Sequence, residues 1–104
     1  MRNAFAKEIT RISAKNKKIF LLSGDIGNKL FDEFKKKYAK RFINCGVAEA
    51  NMTTVAAGLA YAGYRPLTYT ISSFNIYKTI EQIKLDICYQ NLPVIIVGVG
   101  SGLG

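Results

Sequence analysis

The chain contains no histidine and no tryptophan, and only two of its 104 residues are cysteine. Without histidine, these residues can form no His-based metal site, no Ser-His-Asp triad and no Cys-His pair. We predict no metal-ligating residue in this chain. Cys45 and Cys88 lie far apart in the sequence, which favours two reduced thiols and a cytoplasmic location.

Long apolar segments are also missing. No apolar run approaches the roughly 20 residues that a membrane-spanning helix needs. Residues 1–18 lack the continuous apolar stretch and the small-residue cleavage site of a secretory signal. We expect no membrane partner. A composition of 49% hydrophobic and 21% charged residues is typical of a folded protein, and the length allows one modest core. Residues 1–104 are therefore predicted to form a single domain.

Acidic side chains are scarce, with 7 against 15 basic ones and a net charge of +8. Residues 1–41 hold 12 basic and 4 acidic side chains, and the remainder hold 3 of each. Such a basic half can bind nucleic acid, an acidic membrane or a phosphorylated partner, or can be a solvated surface. The aromatics among the lysines, Phe31, Phe34 and Tyr38, have the spacing of one apolar helix face. This favours the solvated surface, and we expect no nucleic-acid partner. A nucleic-acid binder using residues 15–41 stays as an alternative, and its affinity would fall steeply with salt.

The hydrophobic pattern predicts helices and strands in alternation. Helices are predicted at 3–15, 31–40 and 48–62, with a fourth beginning near 73 and ending at 91. Strands are predicted at 18–22, 41–45, 67–71 and 94–97. Asn3 is the expected cap of the first helix, Gly63 the stop of the third, and Pro66 the entrance of the third strand. Short, continuously apolar strands separated by helices indicate an α/β fold with a parallel sheet flanked by helices.

Chemistry in such folds gathers where the strands end. Glu49 is the sharpest candidate there, because it opens a helix that is apolar nearly all round. Such a helix is expected to be covered on more than one side. A buried carboxylate needs a partner or a raised pKa, and no Lys or Arg lies nearby in the sequence. A ligand nitrogen could serve. The alternative is a carboxylate that only complements the helix dipole.

The glycine-rich end of the chain, residues 98–104, is a weak candidate for a phosphate loop. It completes neither a G-x-G-x-x-G nor a Walker pattern, and no lysine follows. A generic nucleotide-binding domain is therefore disfavoured. The segment is better interpreted as a strand exit that is truncated before the next element.

Several motifs in chain order resemble the pyrimidine-binding domain of transketolase and the 1-deoxyxylulose-5-phosphate synthase branch of thiamine-diphosphate enzymes. The central motif is RFINCGVAEANM at 41–52, which continues as VAAGLA at 55–60. LSGDIG at 22–27 lies upstream, and SFNIY at 73–77 and EQI at 81–83 lie downstream. The resemblance therefore covers nearly the whole chain, which makes it more specific than any single motif.

The resemblance implies the fold of that domain, truncated at its C-terminal end, and a role for five residues. It implies that the Glu49 carboxyl hydrogen-bonds a ring nitrogen of the cofactor's aminopyrimidine and shares a proton with it. Phe74 and Tyr77 match aromatics that line the pyrimidine pocket. Asp25 and Ile26 match a loop in which an acid nears the thiazolium and an apolar side chain supports the cofactor.

The resemblance also implies a divided enzyme. The family's diphosphate-binding domain carries a Gly-Asp-Gly segment and an Asn that hold magnesium, and this sequence has none. The implied function is the pyrimidine-binding half-site of a split transketolase-like enzyme that transfers a two-carbon ketol unit between sugar phosphates. Thiamine diphosphate would be the cofactor, with Mg²⁺ held by a diphosphate-binding partner subunit in a dimer or heterotetramer. Transketolases usually have His after the glutamate, where this chain has Ala50, so a non-catalytic interaction module that keeps the fold is the alternative.

Overall fold

The fold is a parallel sheet with helices on both of its sides. The computed structural model describes residues 2–24, 29–46, 48–71, 82–83 and 92–99. The strands found among them are β1 (Ile19–Ser23), β2 (Phe42–Asn44), β3 (Arg65–Ile71) and β4 (Ile95–Val99). They pair in the order β2-β1-β3-β4, and every pairing is parallel. The predicted fold class is confirmed.

Three α-helices belong to the same described residues. They are α1 (Arg2–Lys15), α2 (Asp32–Lys37) and α3 (Glu49–Tyr61), and a short 3₁₀ helix follows α2 at Ala39–Arg41. None of them is long and apolar enough to cross a membrane. The predicted fourth helix lies, apart from 82–83, outside the described residues.

Three local predictions need correction. Asn3 lies inside the first turn of α1, because this helix already begins at Arg2, so its prediction as a cap is wrong. Pro66 is the second residue of β3 and pairs in register with Phe20, so the strand begins one residue before it. The helix predicted at 31–40 is divided, because Tyr38 leaves helical geometry at φ −132° and ψ 51°.

The central strands β1 and β3 separate two apolar layers. On the α1 and α2 side, Leu21 and Tyr69 pack with Ile9, Phe31 and Phe34 in one cluster of buried side chains. The ring of Tyr69 makes an edge contact with Phe31, with ring centroids 4.8 Å apart. The apolar stripe on the second predicted helix is therefore core, as predicted.

The α3 side of the sheet carries a smaller cluster. Leu22, the neighbour of Leu21 on β1, is fully buried there with Met52 and Ala56 of α3. The opposite side of α3 is exposed, and its members recur at helical spacing as Asn51, Thr54, Gly58 and Tyr61. Among the described residues the sheet therefore covers one side of this helix, and the expected second cover does not come from them.

The end of α3 confirms the role expected of Gly63. Its backbone N–H donates to Ala60 O at 3.1 Å, and the Tyr64 N–H donates to Leu59 O at 3.0 Å. This is the Schellman pattern, which needs a left-handed residue after the helix. Gly63 supplies it with φ 102°. The chain then turns directly into β3.

Arg41 attaches the end of α1 to the body of the fold. Its guanidinium donates to Ser13 O at 3.0 Å and to Asn16 O at 2.9 Å. It also lies over the Tyr38 ring, 4.3 Å from the ring centroid. The guanidinium thus pairs with the Ser13 carbonyl in the last turn of α1 and with a second carbonyl just beyond the helix, and it is oriented by an aromatic face.

Alanine substitutions at Gly58, inside α3, and at Gly63, just after it, should change the free energy of unfolding in opposite directions. Gly63→Ala should lower the free energy of unfolding by about 1–2 kcal/mol, because alanine resists a left-handed φ. Gly58→Ala should raise it by about 0.5–1 kcal/mol, because mid-helix glycine is entropically costly. A Cβ at Gly58 would meet nothing within 4 Å. Urea titration followed by circular dichroism measures both, and changes of the same sign would contradict this account.

Arg41→Ala should lower the free energy of unfolding by about 1.5–3 kcal/mol, as expected for hydrogen bonds from a charged group. Lys40→Ala is the matched control, because Lys40 is exposed and such surface changes stay within about 0.5 kcal/mol. The same urea titration measures both variants. If the two variants lose the same free energy of unfolding, Arg41 does not attach α1 as described.

Candidate functional site

The carboxyl ends of three strands are joined by backbone hydrogen bonds just beyond the strands. The Cys45 N–H donates to Ser23 O at 2.8 Å, which links the exit of β2 to that of β1. The Gly24 N–H donates to Tyr69 O at 3.0 Å, which links the exit of β1 to β3. The segments that follow these strands therefore start from one fixed edge of the sheet, as expected for a parallel α/β fold.

The connection from β2 to α3 leaves this edge through a defined turn. The Gly46 N–H donates to the side-chain oxygen of Asn44 at 2.9 Å, and Gly46 has φ 67°. Short polar side chains often bond the backbone two residues further on in this way. After Ala48, which supplies no side-chain cap, α3 begins at Glu49. The described part of this turn thus brings position 49 back to the carboxyl edge of the sheet.

Position 49 lies on a sheet-facing row of α3. Met52, Thr53 and Ala56 follow it at i+3, i+4 and i+7, and all three are fully buried. Residues at these spacings share one helix face. The side chains clustered beneath this part of the helix are apolar, with Leu22 at their centre and Ile43 and Cys45 packed against them.

Cys45 lies at the same edge and is half-buried. Desolvation by its apolar neighbours raises the pKa of the thiol above its usual value. A raised pKa keeps the thiol protonated near neutral pH, so Cys45 lacks the thiolate character of a nucleophile. Its sulfur instead adds to the apolar lining on the α3 side.

Only one of the five residues predicted for the site lies in the described part of the chain. Glu49 is at the first position of α3, and Asp25, Ile26, Phe74 and Tyr77 lie outside the described residues. No group of three or more potential metal-ligating side chains occurs among the described residues.

One cavity among the described residues lies between α1 and α2. Its volume is about 290 Å³. It belongs to the other side of the sheet from α3, so it does not serve position 49. Its lining consists of Asn3, Ala6, Lys7, Thr10, Lys29, Leu30 and Glu33.

Sequence reasoning missed a close contact at this edge. A Cβ added at Gly24 would lie 2.7 Å from the Thr70 hydroxyl oxygen, so only glycine fits there beside Thr70. In the sequence, Gly24 belongs to the LSGDIG motif and Thr70 to the third predicted strand. The sequence held no sign that the two meet, because their contact depends on the register of β1 and β3.

Comparison with known proteins identifies the relatives of this chain. A family model described as "Transketolase, pyrimidine binding domain" matches residues 1–104. The 1-deoxy-D-xylulose-5-phosphate synthase of Clostridium tetani is 34% identical over 101 residues, covering 96% of this chain and 16% of the synthase. One of the subunits of the apulose-4-phosphate transketolase of Phocaeicola vulgatus is 28% identical over 103 residues, covering 98% of this chain and 33% of that subunit.

A solved structure shares the fold closely. The protein described as a split gene transketolase, an inactive β4 tetramer, superimposes with a TM-score of 0.85 at 36% sequence identity. The match covers 93% of this chain and 33% of that one. The chain thus spans between about a sixth and a third of the length of these relatives.

The raised pKa of Cys45 predicts slow alkylation. In a Cys88→Ser chain, Cys45 should react with iodoacetamide several-fold more slowly at pH 7 in the folded state than in urea, because burial lowers both its thiolate fraction and its access. The difference should shrink as pH rises above the thiol pKa. A Cys45→Ser, Cys88→Ser chain gives the background rate. Equal rates for folded and unfolded chains would contradict the burial of Cys45.

Proposed function

Because this chain belongs to the family of transketolase pyrimidine-binding domains, we propose that it supplies the pyrimidine-binding half of a transketolase-like, thiamine-diphosphate-dependent enzyme. The reaction would be transfer of a two-carbon ketol unit between sugar phosphates. Glu49 is the residue proposed to activate the cofactor. The position of Glu49 at the start of α3 and at the carboxyl edge of the sheet is the observation that carries the proposal.

Two opposing effects act on a carboxyl group at the start of a helix. The residues that follow position 49 on its helix face, Met52 and Thr53, are fully buried. Burial of a carboxyl favours its neutral form, whereas the positive end of a helix favours the anion. A proton shared between the Glu49 carboxyl and a ring nitrogen requires the first effect to exceed the second. Ala48 at the N-cap has no side chain that could accept a hydrogen bond from the amides in the first turn of α3.

Each predicted site residue has a proposed role in binding the cofactor or in holding this proton. When bound, thiamine diphosphate supplies the nucleophilic carbon that removes a two-carbon unit from a ketose. The Glu49 carboxyl holds a proton at a ring nitrogen of the pyrimidine. Phe74 and Tyr77 are proposed to enclose that ring and exclude water. Asp25 and Ile26, which directly follow Gly24, are proposed to reach the thiazolium end.

The diphosphate and its Mg²⁺ are proposed to bind a second subunit. The comparisons support this arrangement. One relative is a single subunit of a transketolase, and the solved structure that matches is described as a split-gene transketolase. In this proposal the cofactor lies in the seam between the two subunits. The assembled enzyme would then be a dimer or a heterotetramer.

A non-catalytic module with the same fold is the second candidate. Ala50 favours it, because the residue after the glutamate is usually histidine in transketolases. Ala50 is half-buried and offers no hydrogen bond to a sugar. The two candidates differ in whether the assembled complex turns over a ketose phosphate.

Cofactor binding should depend on the partner subunit. We expect the isolated chain to bind thiamine diphosphate and Mg²⁺ too weakly for detection by isothermal titration at micromolar protein. The complex with the diphosphate-binding subunit should bind with a measurable heat. Tight binding by the isolated chain would refute the half-site.

Glu49→Gln should lower turnover in the assembled complex by about 100-fold or more, because an acid–base group contributes at least that much to the rate. The unfolding midpoint of the chain should change little. Glu8→Gln is the matched control, because Glu8 pairs with Arg11 on the exposed surface of α1. Full activity of Glu49→Gln would dismiss Glu49 as the activating residue. An inactive wild-type complex that still assembles would support the non-catalytic module.

A further inference from the structure

Thr70 presents a buried hydroxyl with no hydrogen-bond partner among the described residues. The residue is 1% exposed, and its Oγ1 is one of two unpaired buried side-chain oxygens in that part of the chain. The other, in Ser13, belongs to α1 on the opposite side of the sheet. Buried hydroxyls are almost always paired, so each exception calls for a physical reason.

Stability does not provide that reason. A valine would fill nearly the same volume on β3 without an unpaired polar atom, and an unpaired buried hydroxyl is destabilising. Thr68 lies two residues earlier on the same side of the strand and is also fully buried. Thr68 does have an interaction partner. The unpaired hydroxyl of Thr70 therefore carries a cost in stability that Thr68, which has a partner, avoids.

The hydroxyl of Thr70 lies against Gly24, at the end of β1. A Cβ at residue 24 would lie 2.7 Å from Oγ1 and 3.0 Å from Cβ of Thr70. The Thr70 side chain therefore packs directly against the backbone where the chain leaves β1. The Gly24 N–H bond to Tyr69 O, one residue before Thr70, holds the two strands together at this level.

Both strands lead from this contact into the segments assigned to the cofactor. Gly24 directly precedes Asp25 and Ile26. Thr70 precedes, by a few residues, the segment that contains Phe74 and Tyr77. The contact therefore lies where the two proposed halves of the pocket begin.

We propose that Thr70 is a positioning residue of this pocket. Its packing against Gly24 holds the point at which the chain leaves β1, and its free hydroxyl gains a hydrogen-bond partner only when the cofactor-loaded pocket forms. This inference rests on the proposed function. It adds a residue that touches neither the cofactor nor the sugar and acts through the β1 exit.

The test compares two substitutions of Thr70 in the complex with the diphosphate-binding subunit. Thr70→Val removes the hydroxyl and keeps the shape, and should raise the Kd for thiamine diphosphate about tenfold or more, as loss of a hydrogen bond can. The urea midpoint of the Thr70→Val chain should equal or exceed that of the wild type. Thr70→Ser keeps the hydroxyl and should stay within about threefold of the wild-type Kd.

Thr10→Val is the matched control. Thr10 is a buried threonine of α1 whose hydroxyl donates to Ala6 O at 2.7 Å, on the far side of the sheet. It should leave the cofactor Kd unchanged. A Thr70→Val Kd within about twofold of the wild type would overturn the proposal. Equal weakening by Thr70→Val and Thr70→Ser, with lowered midpoints, would overturn it too, because packing alone would then explain the effect.

A double-mutant cycle tests the contact itself. Gly24→Ala and Thr70→Ala should each raise the cofactor Kd, and the double variant should raise it less than the product of the two single effects. A full product would show independent action and overturn the contact. The Glu49→Gln variant separates failure of the proposed function from failure of the role proposed for Thr70. If it keeps full turnover, the proposed function fails, whereas an inactive Glu49→Gln with a normal Thr70→Val overturns only the role of Thr70.

Discussion

The parallel register of the central strands is the constraint on which the candidate site depends. Ser23 at the end of β1 pairs with Asn44 of β2 on one side and with Tyr69 of β3 on the other. A one-residue slip of β1 would exchange its two sides and would break the packing of Leu21 and Leu22 into different clusters on opposite sides of the sheet. Core packing thereby fixes where each following segment begins.

Much of the fold could be predicted from sequence because its signals are local. Continuous apolar runs marked the strands, and the spacing of Phe31 and Phe34 marked a core stripe that the structure buries. Gly63 marked a helix end. The errors also have local causes. The side chain of Asn3 suits a helix cap, but α1 starts one residue earlier.

The candidate site was less predictable, because its geometry depends on contacts between distant segments. Glu49 could be singled out as an isolated acid at a helix start, and the structure places that start at the expected edge. Thr70 carried no such signal. Its unpaired hydroxyl and its approach to Gly24 arise only once β1 and β3 lie side by side.

The way in which Arg41 holds α1 has a consequence for sequence drift. Both of its acceptors, at Ser13 and Asn16, are main-chain carbonyls. Every amino acid carries that carbonyl, so substitutions at the two accepting positions leave the anchoring bonds available. The donor has no such freedom, since no other side chain offers a planar fork of N–H groups. Positions 13 and 16 can therefore accept other amino acids without loss of these hydrogen bonds, whereas position 41 requires arginine.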